Sequence, residues 1–259
     1  MDKSLIEVLA IPDGQLDEIL DAEAYSQGKK AWADQLKKDP ENLKLLEHSA
    51  EFFFQSDSEL AAKSLQAARA LDMSNPKWPA ALGQLYSLDM MTSSLKVKGE
   101  AASKALEQLE IAYKLSSDMA RDALLQSLAK TAMAANKPKK AKKYAEQMLR
   151  QKSAGWNAGN NIHHGNLILG LIAITMDDVG RAKEHLIKAG ETSGSPQLNS
   201  FGPNMTLAKE LLQKGEKDVV LKYFRLCSNF WKMGRGRLDE WALVVKENKI
   251  PDFGSNLYY

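Results

Sequence analysis

Six positions recur along this chain in a fixed order, and that recurrence limits what it can fold into more than any other feature. In residues 166–190, Leu169, Gly170 and Ala173 are followed nine residues later by Ala182, then by Leu186 and Ala189. The same steps return as Leu207, Ala208, Leu211, Val220, Phe224 and Cys227, and upstream as Leu128, Ala129, Ala132, Ala141, Ala145 and Met148. An earlier copy reads His48, Ser49, Phe52, Ala61, Leu65 and Ala68. Another reads Leu82, Gly83, Tyr86, Ala105, Leu109 and Ala112, with about ten extra residues between its halves. Apolar residues three and four apart specify helices, and proline, with 8 in the chain, is too scarce to interrupt them. Small residues at the second, fourth and sixth places let two helices cross closely, while larger ones fill the space between successive pairs. Turn residues fall between the halves at Ser56 to Ser58, Asn136 to Pro138, Asp177 to Gly180 and Lys214 to Glu216.

The stretch "NPKWPAALGQLY" resembles the helix-opening pattern of the tetratricopeptide repeat family, a tryptophan followed by Leu-Gly and then Tyr, with Trp78 one residue early. Ala182, Leu186 and Ala189 match the spacing of that family's second helix. The resemblance covers residues 42–234 and implies an all-α fold, a right-handed α-solenoid of about five helical hairpins with capping helices at both ends. The hairpins are expected at 42–75, 76–119, 122–155, 163–196 and 201–234. Residues 1–41 then form an N-terminal cap with a helix near 15–37, residues 42–234 the repeat domain, and residues 235–259 a C-terminal capping helix and an extended tail. In the last helix Trp241, Leu243 and Val244 are expected to cover the final pair. The tail, with Phe253, Leu257, Tyr258 and Tyr259, is too apolar for fraying and is expected to dock on the stack.

Charge narrows the partners. Lys plus Arg (35) nearly balances Asp plus Glu (33), so the chain as a whole has no field suited to nucleic acid or a membrane surface. The halves differ. Residues 1–130 hold 15 basic and 21 acidic side chains, net −6, and residues 131–259 hold 20 and 12, net +8, so an acidic partner prefers the second half. The lysines of "NKPKKAKKYAEQ" lack interleaved aromatics and read as a solvated helix face. The single cysteine, Cys227, reads as a small buried residue and fits a reducing compartment. The N-terminus "MDKSLIEVLAIP" has Glu7 within its short apolar stretch and no secretion signal, and the run Leu167 to Met176 is half the length of a bilayer crossing. The expected location is the cytoplasm, and no membrane partner is expected.

No phosphate loop, dinucleotide turn, HExxH, nucleophile elbow or EF-hand occurs in the sequence, so catalysis has no motif to rest on. His163 and His164 in "NNIHHGN" are adjacent and point about 100° apart on a helix, so they cannot share an ion as an i, i+4 pair does. They are expected to open the fourth hairpin. No cofactor and no metal are expected. The connectors "AGWNAGNNIHHGN" and "SGSPQLNSFGPNM" both place Asn three residues before a Leu-Gly or Leu-Ala pair, as Asn166 and Asn204. Asn amides donate and accept at once, which suits the backbone of an extended peptide; they also serve as caps and turns.

The resemblance places first helices on the concave face. The groove positions are then Gln126, Lys130 and Met133 of the third hairpin, His164, Leu167, Ile168, Leu171 and Ile174 of the fourth, and Met205, Thr206, Lys209 and Leu212 of the fifth. The family's Lys and Asn clamp for C-terminal carboxylates is not reproduced here. The leading expectation is a non-catalytic scaffold that binds another protein or an extended peptide segment. In it Asn166 and Asn204 contact backbone, His164, Met205, Gln126 and Leu171 contact side chains, and Lys130 and Lys209 meet acidic groups. Two other readings stay open: self-association of the acidic front with the basic rear of another copy, and an enzyme using His163 and His164. The tail filling the groove would make Leu167 to Ile174 core.

Overall fold

The computed structural model describes residues 22–92, 95–151 and 157–258. Among them there is no strand, and thirteen α-helices follow one another with short turns. The fold is all-α, built of antiparallel hairpins that stack in chain order. It divides into two compact units, residues 1–121 and 122–259.

The first unit opens with α1 (Ala22–Lys38), which buries Tyr25, Gly28 and Trp32. The residues before Ala22, where the expected front helix starts, lie outside the described residues. Hairpin α2 (Leu43–Phe53) and α3 (Ser58–Leu71) follows, then α4 (Lys77–Thr92) and α5 (Leu95–Leu115). Local chemistry sets the starts. Asn42 accepts from the Lys44 and Leu45 amides at 3.1 and 3.2 Å, and Asp57 accepts from Leu60 N at 3.1 Å, satisfying donors that a helix end leaves orphaned. The core then collects Trp32, Leu46, Phe53, Leu65, Trp78 and Leu82, each such side chain contributing ~1.5–3 kcal/mol on burial. The ten extra residues of the second copy do not make a loop. They lengthen the helices, giving α5 its 21 residues, because Lys98, Glu100, Ala101, Ala102 and Lys104 are strong helix formers.

The second unit contains most of α6 (Asp118–Ala134), then α7 (Pro138–Arg150), α8 (Ala158–Thr175), α9 (Val179–Gly190), the short α10 (Pro196–Phe201), α11 (Thr206–Gln213), α12 (Lys217–Cys227) and α13 (Arg237–Lys246). The hairpin turns use left-handed backbone at Asn136, Asp177 and Gly215, where the sequence offers Asn, Asp and Gly. The recurring small residues do what their spacing requires. Ala129, Ala132, Ala141, Ala145, Ala182, Ala189 and Ala208 are all fully buried, as is Cys227. At Gly170 a Cβ would run into the Leu207 side chain, so the crossing depends on its absence.

Three expectations need correction here. The fourth hairpin starts at Ala158, so His163 and His164 sit in the interior of α8 and do not open it. The connector before the fifth hairpin is partly helical, since Ser195 caps α10 by accepting from Leu198 N at 3.0 Å and Pro196 stands at its first position. In α13 the buried pair is Trp241 and Val245, four apart, whereas Leu243 is 62% exposed; the helix is rotated so that Leu238 and Ala242 complete the packed stripe.

The tail docks through Phe253 and Leu257, whereas Tyr258, expected to dock with them, is 63% exposed. Phe253 packs edge-on to Trp241 with ring centroids 5.0 Å apart and lies 6.3 Å from Phe224, and Trp241 Nε1 donates to Asp252 O at 3.2 Å. Beyond it Asn256 is fully buried, its Nδ2 donating to Phe201 O (3.1 Å) and Pro203 O (2.9 Å), while Asn256 O accepts from Met205 N at 2.7 Å. Tyr259 lies outside the described residues.

Candidate functional site

α8 carries more buried polar groups than a helix of its apolar character would be expected to hold, and their partners define the site. His163 is completely enclosed. Its Nε2 accepts from Asn204 N–H at 3.1 Å, which leaves the proton on Nδ1, and Nδ1 donates to Ala189 O at 3.0 Å. One ring thus ties the end of α9 to the entrance of α11. Burial holds its pKa down, to about 4, so the ring is neutral at physiological pH.

The asparagines earlier in α8 form a polar ladder that compensates for their poor helix propensity. Asn160 Nδ2 donates to Asn157 Oδ1 at 2.9 Å and to Gln197 Oε1 at 3.3 Å, and Asn160 Oδ1 accepts from Ser195 Oγ at 2.6 Å. Asn161 donates to Gln151 Oε1 at 2.8 Å, and Gln151 in turn bonds Asp122. The ladder reaches from the α10 cap to α6. Gly159 makes it geometrically feasible, since a Cβ there would overlap the Gly194 carbonyl.

Where α6, α8 and α10 meet, a cavity of about 270 Å³ is lined by Gln126, Asn160, His164, Gln197, Leu198 and Phe201. His164 is 7% exposed and touches His163 edge-on, with ring centroids 5.0 Å apart. Among the described residues neither of its ring nitrogens has a hydrogen-bond partner. Burial holds it neutral, reinforced by the nearby His163 and Lys130. Lys130, one turn along α6 from Gln126, is pushed down to about 8 by burial and donates to Tyr258 O of the tail at 3.4 Å.

The sequence-predicted site residues divide. Gln126 and His164 line the cavity together and Lys130 stands close enough to act on His164 electrostatically. Lys209 is half-buried on α11, and Leu171 packs against the core; neither lines the cavity. Asn166 is turned inward: its Nδ2 donates to Ile162 O at 2.9 Å and its Oδ1 accepts from His185 Nδ1 at 3.0 Å. Asn204 is buried, its Oδ1 accepting from Thr206 N at 2.9 Å, and Met205 has no exposed surface. Asn204 and Met205 hold the entrance to α11, while Asn166 ties α8 to α9, and the tail crosses over the α11 entrance, with Thr206 Oγ1 donating to Leu257 O at 3.2 Å. Asn160, Gln197, Leu198 and Phe201 escaped the reading by spacing. The signal for the last three was present in Ser195-Pro196, a helix start inside a segment read as loop.

Other chemistry finds no support in side-chain placement. Among the described residues no three His, Cys, Asp or Glu side chains gather as a metal cluster, and none of the helices is long and apolar enough to cross a membrane. Cys227 is enclosed, and burial pushes its thiol pKa far up, so it is a packing residue and not a nucleophile. Lys139, Lys140, Lys142 and Lys143 are exposed along α7.

No family model and no curated protein matches the chain. Among solved structures, PilF of Pseudomonas aeruginosa is similar at 18% sequence identity over 86% of this chain and 88% of that one, with a TM-score of 0.47.

Proposed function

We propose that this chain is a non-catalytic interaction module and that its second unit takes an extended segment of another protein beside α6, α8 and α10. The observation that carries the reading is the cavity under His164. It is a preformed hollow with an imidazole that has no hydrogen-bond partner among the described residues and with the amides of Gln126 and Gln197, and it opens beside Phe201, which is 64% exposed. The volume is below that of a typical cofactor or drug-sized site and fits one side chain of a longer ligand.

The fold itself packs a segment against this place. Its own residues 253–258, with a 3-10 turn at Gly254–Leu257, lie over the start of α11, where Asn256 O accepts from Met205 N and Leu257 O from Thr206 Oγ1, and they reach Lys130. A partner segment continues past the end of this contact into the cavity. The basic balance of the second half favours an acidic segment there.

Selection of random peptides on the intact chain tests this. Peptides are expected whose binding is lost in Phe201→Ala, a change at an exposed ring that leaves the fold intact. Failure to enrich any peptide, or enrichment indifferent to Phe201→Ala, refutes the assignment.

A further inference from the structure

The cavity's chemistry says more than that something binds. Resting on the peptide-binding reading above, we propose that the hollow between α6, α8 and α10 receives the phenol ring of a tyrosine carried by the bound segment. The walls supply an apolar floor from Leu198 and an aromatic ring from Phe201, against which a planar ring packs in a stacked or edge-on arrangement. Ligand-sized pockets begin near 300 Å³, and this one, at about 270 Å³, admits a single aromatic side chain.

Charge excludes the alternatives. Among the described residues no acidic side chain lines the hollow, and Lys130 raises the potential at His164, so a lysine or arginine head is repelled. A carboxylate would be drawn by Lys130. It would, however, have to leave water for a hollow in which none of the described lining groups is charged, a cost that one lysine outside the lining does not offset. A neutral side chain remains, among which the Phe201 ring favours a planar aromatic one, and its polar tip is specified by His164. That imidazole has no hydrogen-bond partner among the described residues, and as a neutral ring it offers one donor and one acceptor. A hydroxyl can answer either nitrogen, whereas the edge of a phenylalanine answers neither. Gln126 and Gln197 at the rim can bond the peptide groups on either side.

Two measurements test the assignment. In the first, N-acetyl-tyrosinamide is titrated into the intact chain while the His164 ring and the Phe201 backbone are followed by NMR. Saturable shifts at both are expected, about five- to tenfold weaker with N-acetyl-phenylalaninamide, the loss of one hydrogen bond. They should be lost in Phe201→Ala. Stronger shifts with N-acetyl-glutamine amide or N-acetyl-glutamate amide than with the tyrosine probe, or no saturable shift with the tyrosine probe, overturn the proposal. In the second, the selected peptides are remade with each tyrosine changed to Phe or Glu. Loss on both changes supports the proposal. Peptides that still need Phe201 but bind equally after the change refute the tyrosine while leaving the peptide-binding reading standing. Absence of any Phe201-dependent peptide, with tyrosinamide still bound, refutes only the broader reading.

Discussion

Lowering the pH should unfold this protein through His163, and the size of the effect can be worked from its surroundings. In the unfolded chain the imidazole titrates near 6.5; in the fold it takes a proton only near 4, because it is enclosed and already accepts from Asn204 N–H. Between these values the unfolded state binds a proton that the folded state does not. Stability is therefore fully present above pH 6.5 and is lost as the pH falls, until it levels off near 4. A difference of this size corresponds to about 3 kcal/mol, a large share of a typical total of ~5–15 kcal/mol. His164 shifts in the same direction, so a control is needed to isolate the residue. His163→Phe keeps an aromatic body between Tyr223 and Phe230 but removes the titrating group. At pH 7 it should be less stable than the parent, because Asn204 N–H and Ala189 C=O lose their partner. Urea denaturation from pH 7 to 4.5 should show the parent losing about 2.5 kcal/mol more than the variant over that range. A ring that titrates near 6.5 by NMR in the native protein, or equal acid sensitivity in parent and variant, would refute the argument.

Four other outcomes follow from packing. Gly159→Ala should cost about 1–3 kcal/mol and shift amide signals in residues 191–197, because its methyl meets the Gly194 carbonyl. Gly99→Ala, where a Cβ meets nothing within 4 Å, should instead stabilise by about 0.5–1 kcal/mol, measured as a higher Tm. Phe253→Ala should cost ~3–5 kcal/mol and change the fluorescence of Trp241, which it packs against; an unchanged Tm would mean that the tail is not part of the core. Cys227 should resist thiol reagents at pH 8 until the protein is unfolded by urea, and rapid labelling of the native chain would contradict its enclosure.

Reading the chain by spacing alone placed the helices well and the interior of the site poorly, and the reason differs from residue to residue. The pattern of Leu186 with Ala182 and Ala189 is a local property of one helix face, so it can be read without knowing what lies opposite. Asn166 and Asn204 share a spacing too. What each bonds depends on partners nineteen residues away or across a loop, His185 for the first and the entrance to α11 for the second. A polar residue at a repeat position looks the same in a sequence whether it faces a ligand or a neighbouring helix.

The sequence by itself determined the all-helical character, the order of the hairpins and the small residues at their crossings, because periodicity and close packing act within one or two helices. It determined also that Phe253 would not stay in water. Only the tertiary structure decided that the two adjacent histidines part company: His163 becomes a fully paired strut between α9 and α11, while His164 stands beside a cavity with no ring-nitrogen partner among the described residues. That difference arises because consecutive residues on a helix face different neighbours, and which neighbour holds a matching N–H or C=O is fixed only when segments distant in the chain come together.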